Sequence, residues 1–119
     1  VNECLKAINK LLKKGGLLIV AVPNCESYDA QKYKEKWVAY DLPIHLSHFR
    51  KKDIKGFAKK NDFELRNVKP LVFDAYYISM LSEKKSGSSS LLGFIPGLVS
   101  NLKAKKTGEY SSLMYLLFK

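Results

Sequence analysis

Leu5, Ile8, Leu11 and Leu12 recur at three-to-four spacing between lysines, which predicts an amphipathic helix over residues 2–14 with Asn2 able to cap it. Gly15-Gly16 then supplies a left-handed stop that glycine adopts cheaply. Leu17 to Val22 is apolar at every position. Such a run predicts a strand covered on both faces, as in the parallel part of a sheet flanked by helices, and Pro23 ends its ladder. Residues 25–49 have no sustained period, and so long a connection inside a compact unit is usually functional. Lys51 to Asn61 is expected to be helical, with Ile54, Phe57 and Ala58 inward. Phe63 to Leu71 alternates as a strand that tolerates Pro70 only at its end or on an edge. Phe73 to Ser82 fits a third helix presenting Tyr76, Tyr77, Met80 and Leu81, and residues 86–90 a flexible joint. Leu91 to Lys106 resumes a helical pattern broken by Gly93, Pro96 and Gly97. Tyr110 to Phe118 alternates and then turns fully apolar, which suits a last strand inserted between others. There is no internal repeat.

The chain has 119 residues, 46% apolar and 12% aromatic, enough for one core and one domain rather than two. It begins with Val and carries no secretory pattern, so it is expected to be cut from something longer and to be cytoplasmic. Apolar runs of about six residues are too short for a transmembrane segment. Cys4 and Cys25 have no zinc or redox spacing, so two reduced thiols are expected, with Cys4 packed as a small apolar group. The net charge of +10 is carried by clusters such as Lys32-x-Lys34-x-Lys36, Arg50-Lys51-Lys52 and Lys103-x-Lys105-Lys106. This excess suits nucleic acid or an anionic membrane. Most of these lysines, however, fall near predicted helix ends or in loops, where solvation is the commoner role.

Candidate chemistry follows the first strand, whose carboxyl end is where open α/β sheets bind ligands. There Pro23-Asn24 is followed by Trp37-x-x-Tyr40-Asp41-x-Pro43-x-His45-x-x-His48-Phe49. His45 is the best candidate for a general base, because histidine titrates near neutral pH. Asp41 is placed to orient it, and Trp37, Tyr40, His48 and Phe49, with Pro23 and Asn24, are candidate substrate contacts. Each has a structural alternative: the histidines fixing a loop, Asp41 capping the turn at Pro43, and Trp37 plugging the core. Asp41, His45 and His48 also suit a transition metal, but no fourth ligand is visible and no metal is expected.

These segments together resemble the carboxyl-terminal half of class I S-adenosylmethionine-dependent methyltransferases. The likeness lies in helix, Leu-x-Lys-x-Gly-Gly, apolar strand, Pro-Asn, Trp-rich loop with Asp-x-Pro-x-His, and helix ending before Phe63-Glu64. It covers residues 2–72 and the closing strand from Tyr110. The resemblance implies an α/β fold, α+β-like in this fragment: half of a Rossmann-like sheet with strands in the order five, seven, six and flanking helices. Residues 1–119 would be one partial domain, with 73–107 a variable helical insertion. It implies an enzyme whose cofactor is S-adenosylmethionine and whose acceptor is a small or lipid-like molecule. The family's glycine-rich loop and ribose-binding acidic residue are missing here, so the chain alone should bind the cofactor weakly or not at all and be inactive. An unpaired strand-five edge would then favour a homo-oligomer.

The other reading is a non-catalytic basic α+β module that binds nucleic acid or a membrane surface. The stripe Leu91, Leu92, Phe94, Ile95, Leu98, Val99 and Leu102 with trailing lysines fits an interfacial helix, a cover for the site or a dimer contact. Tyr33, Trp37 and Tyr40 among lysines suit RNA bases, though no RNA-binding signature is present.

Overall fold

The last strand is the middle of the sheet. In the computed structural model, which describes residues 1–41 and 47–119, β1 (Leu17–Pro23), β2 (Glu64–Pro70) and β3 (Ser112–Phe118) pair in the order β1-β3-β2. β3 is antiparallel to both neighbours, with Val20 and Val68 both opposite Tyr115. The alternation of β3 explains its place. Leu113, Tyr115 and Leu117 are buried against Leu5 of α1 (Asn2–Leu11), Ile54 and Ala58 of α3 (Lys51–Lys60), and Phe63. Met114, Leu116 and Phe118 serve the other face. β2 is an edge strand ending at Pro70, with an irregularity between Leu65 and Asn67.

Several expectations are corrected. Among the described residues β1 pairs only with the antiparallel β3 and is not covered on both faces: Leu18, Val20 and Val22 pack inward, while Leu17 and Ile19 are exposed. Its pairing with β3 fills only one edge. The first helix stops at Leu11 rather than residue 14. Leu12 is already extended, and the Lys119 ammonium binds the Asn9 carbonyl and, at 2.8 Å, that of Leu12. The region 25–49 is not without structure. It holds α2 (Tyr28–Tyr33), capped by the Ser27 hydroxyl, and 3₁₀ turns at Lys34–Lys36 and Val38–Tyr40. Cys4 is exposed, not packed, and both cysteines are free.

The remaining helices form a hairpin. α4 (Val72–Lys85) is longer than its pattern predicts, and residues 86–88 close a hydrogen-bonded turn onto Ser82, Glu83 and Lys84 carbonyls. A 3₁₀ turn (Ser90–Gly93) leads into α5 (Phe94–Thr107), which Pro96 and Gly97 do not break. Pro96 lies in the first turn, where its amide would be unpaired anyway. Gly93 and Gly97 face α4: a Cβ would come within 2.4 Å of the Met80 Cα and 2.7 Å of the Tyr76 Cα, respectively. They are points of close approach.

At the start of α3, Asp53 accepts from the Arg50 backbone amide at 2.9 Å and from its guanidinium at 2.8 Å. The Arg50 guanidinium and then the amide hold its carboxyl at about 2, well below the usual range. A depressed carboxyl stabilises the fold above its unfolded pKa and loses that contribution as pH falls through the folded one. Asp53→Asn is therefore expected to lose about 1 kcal/mol at neutral pH, discounted for exposure. Its acid unfolding curve should flatten between about pH 4 and pH 2 relative to the parent. Urea titrations across that range provide the check.

Candidate functional site

A cavity of about 470 Å³ opens at the carboxyl end of β1, between the Val38–Tyr40 turn and α4. Val22, Pro23, Ile78 and Leu81 give it apolar walls, and Asp41, Asp74 and Tyr77 add polar groups. A second hollow of about 120 Å³ shares Ala21, Val22, Pro23 and Ala39 with it and reaches Cys25, His48 and Phe49. Pro23 thus lies between the two.

The structure brings most of the expected site residues to this end of β1. Trp37, Tyr40 and His48 form a ladder of edge-to-face rings, with centroids 5.0 Å and 4.6 Å apart. His48 Nε2 lies 3.1 Å from the Tyr40 carbonyl. A carbonyl only accepts, so Nε2 is the donor and the neutral ring keeps its lone pair on Nδ1. Burial, and then the charge of Cys25, pushes the Tyr40 hydroxyl up. Burial likewise raises the Cys25 thiol, whose Sγ is 3.3 Å from the Phe49 carbonyl, and that argues against a nucleophilic cysteine. Phe49 bridges in parallel to Asn24 beyond the end of β1, and its ring meets Phe57 edge-on at 6.1 Å.

Two of the expected contacts have structural occupations. Asn24 is buried: its Nδ2 donates to Glu109 at 2.7 Å and to the Tyr110 carbonyl, and its Oδ1 accepts from the Glu26 amide. Trp37 has no exposed surface and backs the smaller hollow from within the core. Asp41 is exposed and ends the Val38–Tyr40 turn in the left-handed region, at φ 39°. Neither its carboxyl group nor that of Asp74 makes a hydrogen bond or ion pair with the described residues. His45, the expected base, lies outside the described residues, so its relation to Asp41 and His48 is not part of this geometry.

Sequence reasoning missed the group that holds the site together. Asp29 is fully buried, and its carboxyl accepts from Trp37 Nε1 at 2.8 Å, Ser100 Oγ at 2.7 Å and Ser111 Oγ at 2.6 Å. It joins α2, the Trp37 turn, α5 and the approach to β3. The available signal was Ser27-Tyr28-Asp29-Ala30, a capping serine with an acidic first turn. On the outer side, Glu83 receives Lys32 and the Tyr33 hydroxyl, each at 2.9 Å. The Lys32 bond lowers the Glu83 carboxyl, while burial and the bond to Glu83 raise Tyr33.

No family model matches the sequence, and no curated protein or solved structure is significantly similar to it. The comparisons therefore lend the methyltransferase resemblance no support. The structure establishes a mixed α/β chain with a three-stranded antiparallel sheet, and among the described residues no helix is long and apolar enough to cross a membrane.

Proposed function

We propose that this chain forms the acceptor-side wall of an S-adenosylmethionine-dependent methyltransferase, as the carboxyl-terminal half of its domain. The observation that carries the reading is a late strand lying antiparallel between two earlier ones, with a cavity at the carboxyl end of the first. In this reading β1, β2 and β3 stand as strands five, six and seven, and residues 73–107 as the variable insertion. A groove of about 580 Å³ beside β1, lined by Cys4, Ile8, Ile19 and Phe57, is then the place of the neighbouring strand and its helix.

Methyl transfer from a sulfonium is an in-line displacement whose charge is already on the cofactor. The protein has to hold the acceptor in line and, for a protonated acceptor, remove a proton. The larger cavity receives a small or lipid-like acceptor. Tyr40 packs edge-on against His48, which with Phe49 lines the adjoining smaller hollow; His45 is the base, and Asp41 orients it. S-adenosylmethionine itself binds mainly to the other half of the enzyme, since this chain contains no glycine-rich loop for it.

Calorimetric titration of the full-length protein with S-adenosylmethionine tests the reading. Binding is expected, and His45→Ala should slow methyl transfer while leaving cofactor affinity intact. A full-length protein that binds no cofactor would overturn it.

A further inference from the structure

α5 is amphipathic in the wrong sense for a helix facing water. The face turned into the protein is small or polar, made of Pro96, Gly97, Ser100, Asn101 and Ala104, whereas Phe94, Ile95, Leu98 and Leu102 are exposed. The apolar stripe continues through Leu91, 75% exposed, and Leu92 in the preceding turn. It is matched on α4 by Phe73, 83% exposed, and Tyr77. A helix normally buries its large apolar side chains and wets its small polar ones, and apolar patches of this kind mark interaction sites.

The charge around the stripe identifies what covers it. From Lys84 to Gly108 the chain has five lysines and no acidic residue. Lys103 is turned aside, its ammonium 4.0 Å from the Tyr28 ring centroid. The other four bracket the stripe: Lys84 and Lys85 at the closed end of the hairpin, and Lys105 and Lys106 at the open end. Lys105 and Lys106 follow Leu102 by three and four residues, and Lys84 follows Tyr77 by seven, so helical spacing puts them on the apolar faces. None of the four has an ion pair among the described residues. A second copy seated on this stripe would set lysine against lysine in a chain of net charge +10. An anionic bilayer instead takes the aliphatic side chains between its headgroups and pairs the lysines with lipid charges.

We infer that the outer face of the α4–α5 hairpin docks on an anionic membrane surface, lying in the interface rather than crossing it. Tyr77 stands on this face and also lines the 470 Å³ cavity, so the docking surface and the cavity adjoin. The inference does not depend on methyl transfer and is tested by binding alone.

The experiment is co-sedimentation of the chain with phosphatidylcholine vesicles with or without phosphatidylglycerol. Binding is expected only with the anionic lipid and is expected to weaken as salt rises. Ile95→Glu/Leu98→Glu should lower the affinity at least tenfold. Lys105→Ala/Lys106→Ala should lower it roughly fivefold per lysine. All four positions are exposed, and an unchanged circular dichroism spectrum and melting temperature confirm that each variant is folded. The inference is overturned by absence of binding to anionic vesicles, or by binding that the glutamates leave unchanged. It is equally overturned if the parent self-associates in light scattering without binding vesicles and the glutamates make it monomeric.

Discussion

Replacing Asp29 by Ala is expected to destabilise the chain by about 3–5 kcal/mol, a large share of the roughly 5–15 kcal/mol that holds a typical domain together. The magnitude follows from what remains after the carboxyl is gone. Trp37 Nε1 and the hydroxyls of Ser100 and Ser111 all donate to it, and all three belong to side chains with no appreciable exposure. Each buried donor left without an acceptor loses about 1–3 kcal/mol. Asp29→Asn should be milder, at about 2 kcal/mol: serine hydroxyls can rotate to accept from the new amide, but the indole N–H can only donate. Urea unfolding of both variants provides the test. A cost below 1 kcal/mol for the alanine would show that the four segments are held by apolar packing instead. Because Trp37 and Asp29 form one network, the effects of Trp37→Phe and Asp29→Ala should combine to less than their sum.

Gly93→Ala is the second large effect, expected at about 3 kcal/mol, since overpacking typically costs 1–3 kcal/mol and here the obstacle is backbone. The added methyl would sit 2.4 Å from both the Cα and the amide nitrogen of Met80, atoms that cannot rotate away. Backbone conformation is not the reason, because Gly93 has φ of −68°, an ordinary helical value. Gly56 supplies the control. It lies within α3, exposed, with nothing within 4 Å of a built Cβ. Gly56→Ala is expected to stabilise by about 0.5–1 kcal/mol through reduced freedom of the unfolded chain. Opposite signs at two glycines, read from melting temperatures, would separate close packing from helix propensity. Equal stabilisation at both positions would mean that the hairpin is looser than 2.4 Å implies.

These two sites also mark where sequence legibility ends. The helices and strands that carry a clean apolar period, such as Lys51–Lys60 and Ser112–Phe118, are readable, because one face of each is buried in a single core. Gly93 and Gly97 read as breaks, since a sequence does not show whether a missing Cβ serves a turn or a close approach. Cover on both faces of β1 was inferred from composition, but coverage depends on neighbours. α2 was missed because its six residues span less than two turns, too few for a period to register. At the site, Trp37, Tyr40 and His48 are singled out by the sequence only as separate candidate contacts; that their rings pack edge-to-face on one another depends on the turns between them. Asp29 was not foreseen, for its partners Ser100 and Ser111 are 71 and 82 residues away.

The central position of β3 has a consequence for synthesis. Among the described residues β1 and β2 pair only with β3, so neither gains that partner until residues 112–118 have left the ribosome. Some ninety residues of translation therefore separate the synthesis of β1 from its pairing with β3. Pairing with β3 is thus a late event that joins segments distant in sequence, and such topologies fold slowly for their size. Chaperone capture during that interval is the natural protection for the Leu17–Pro23 segment.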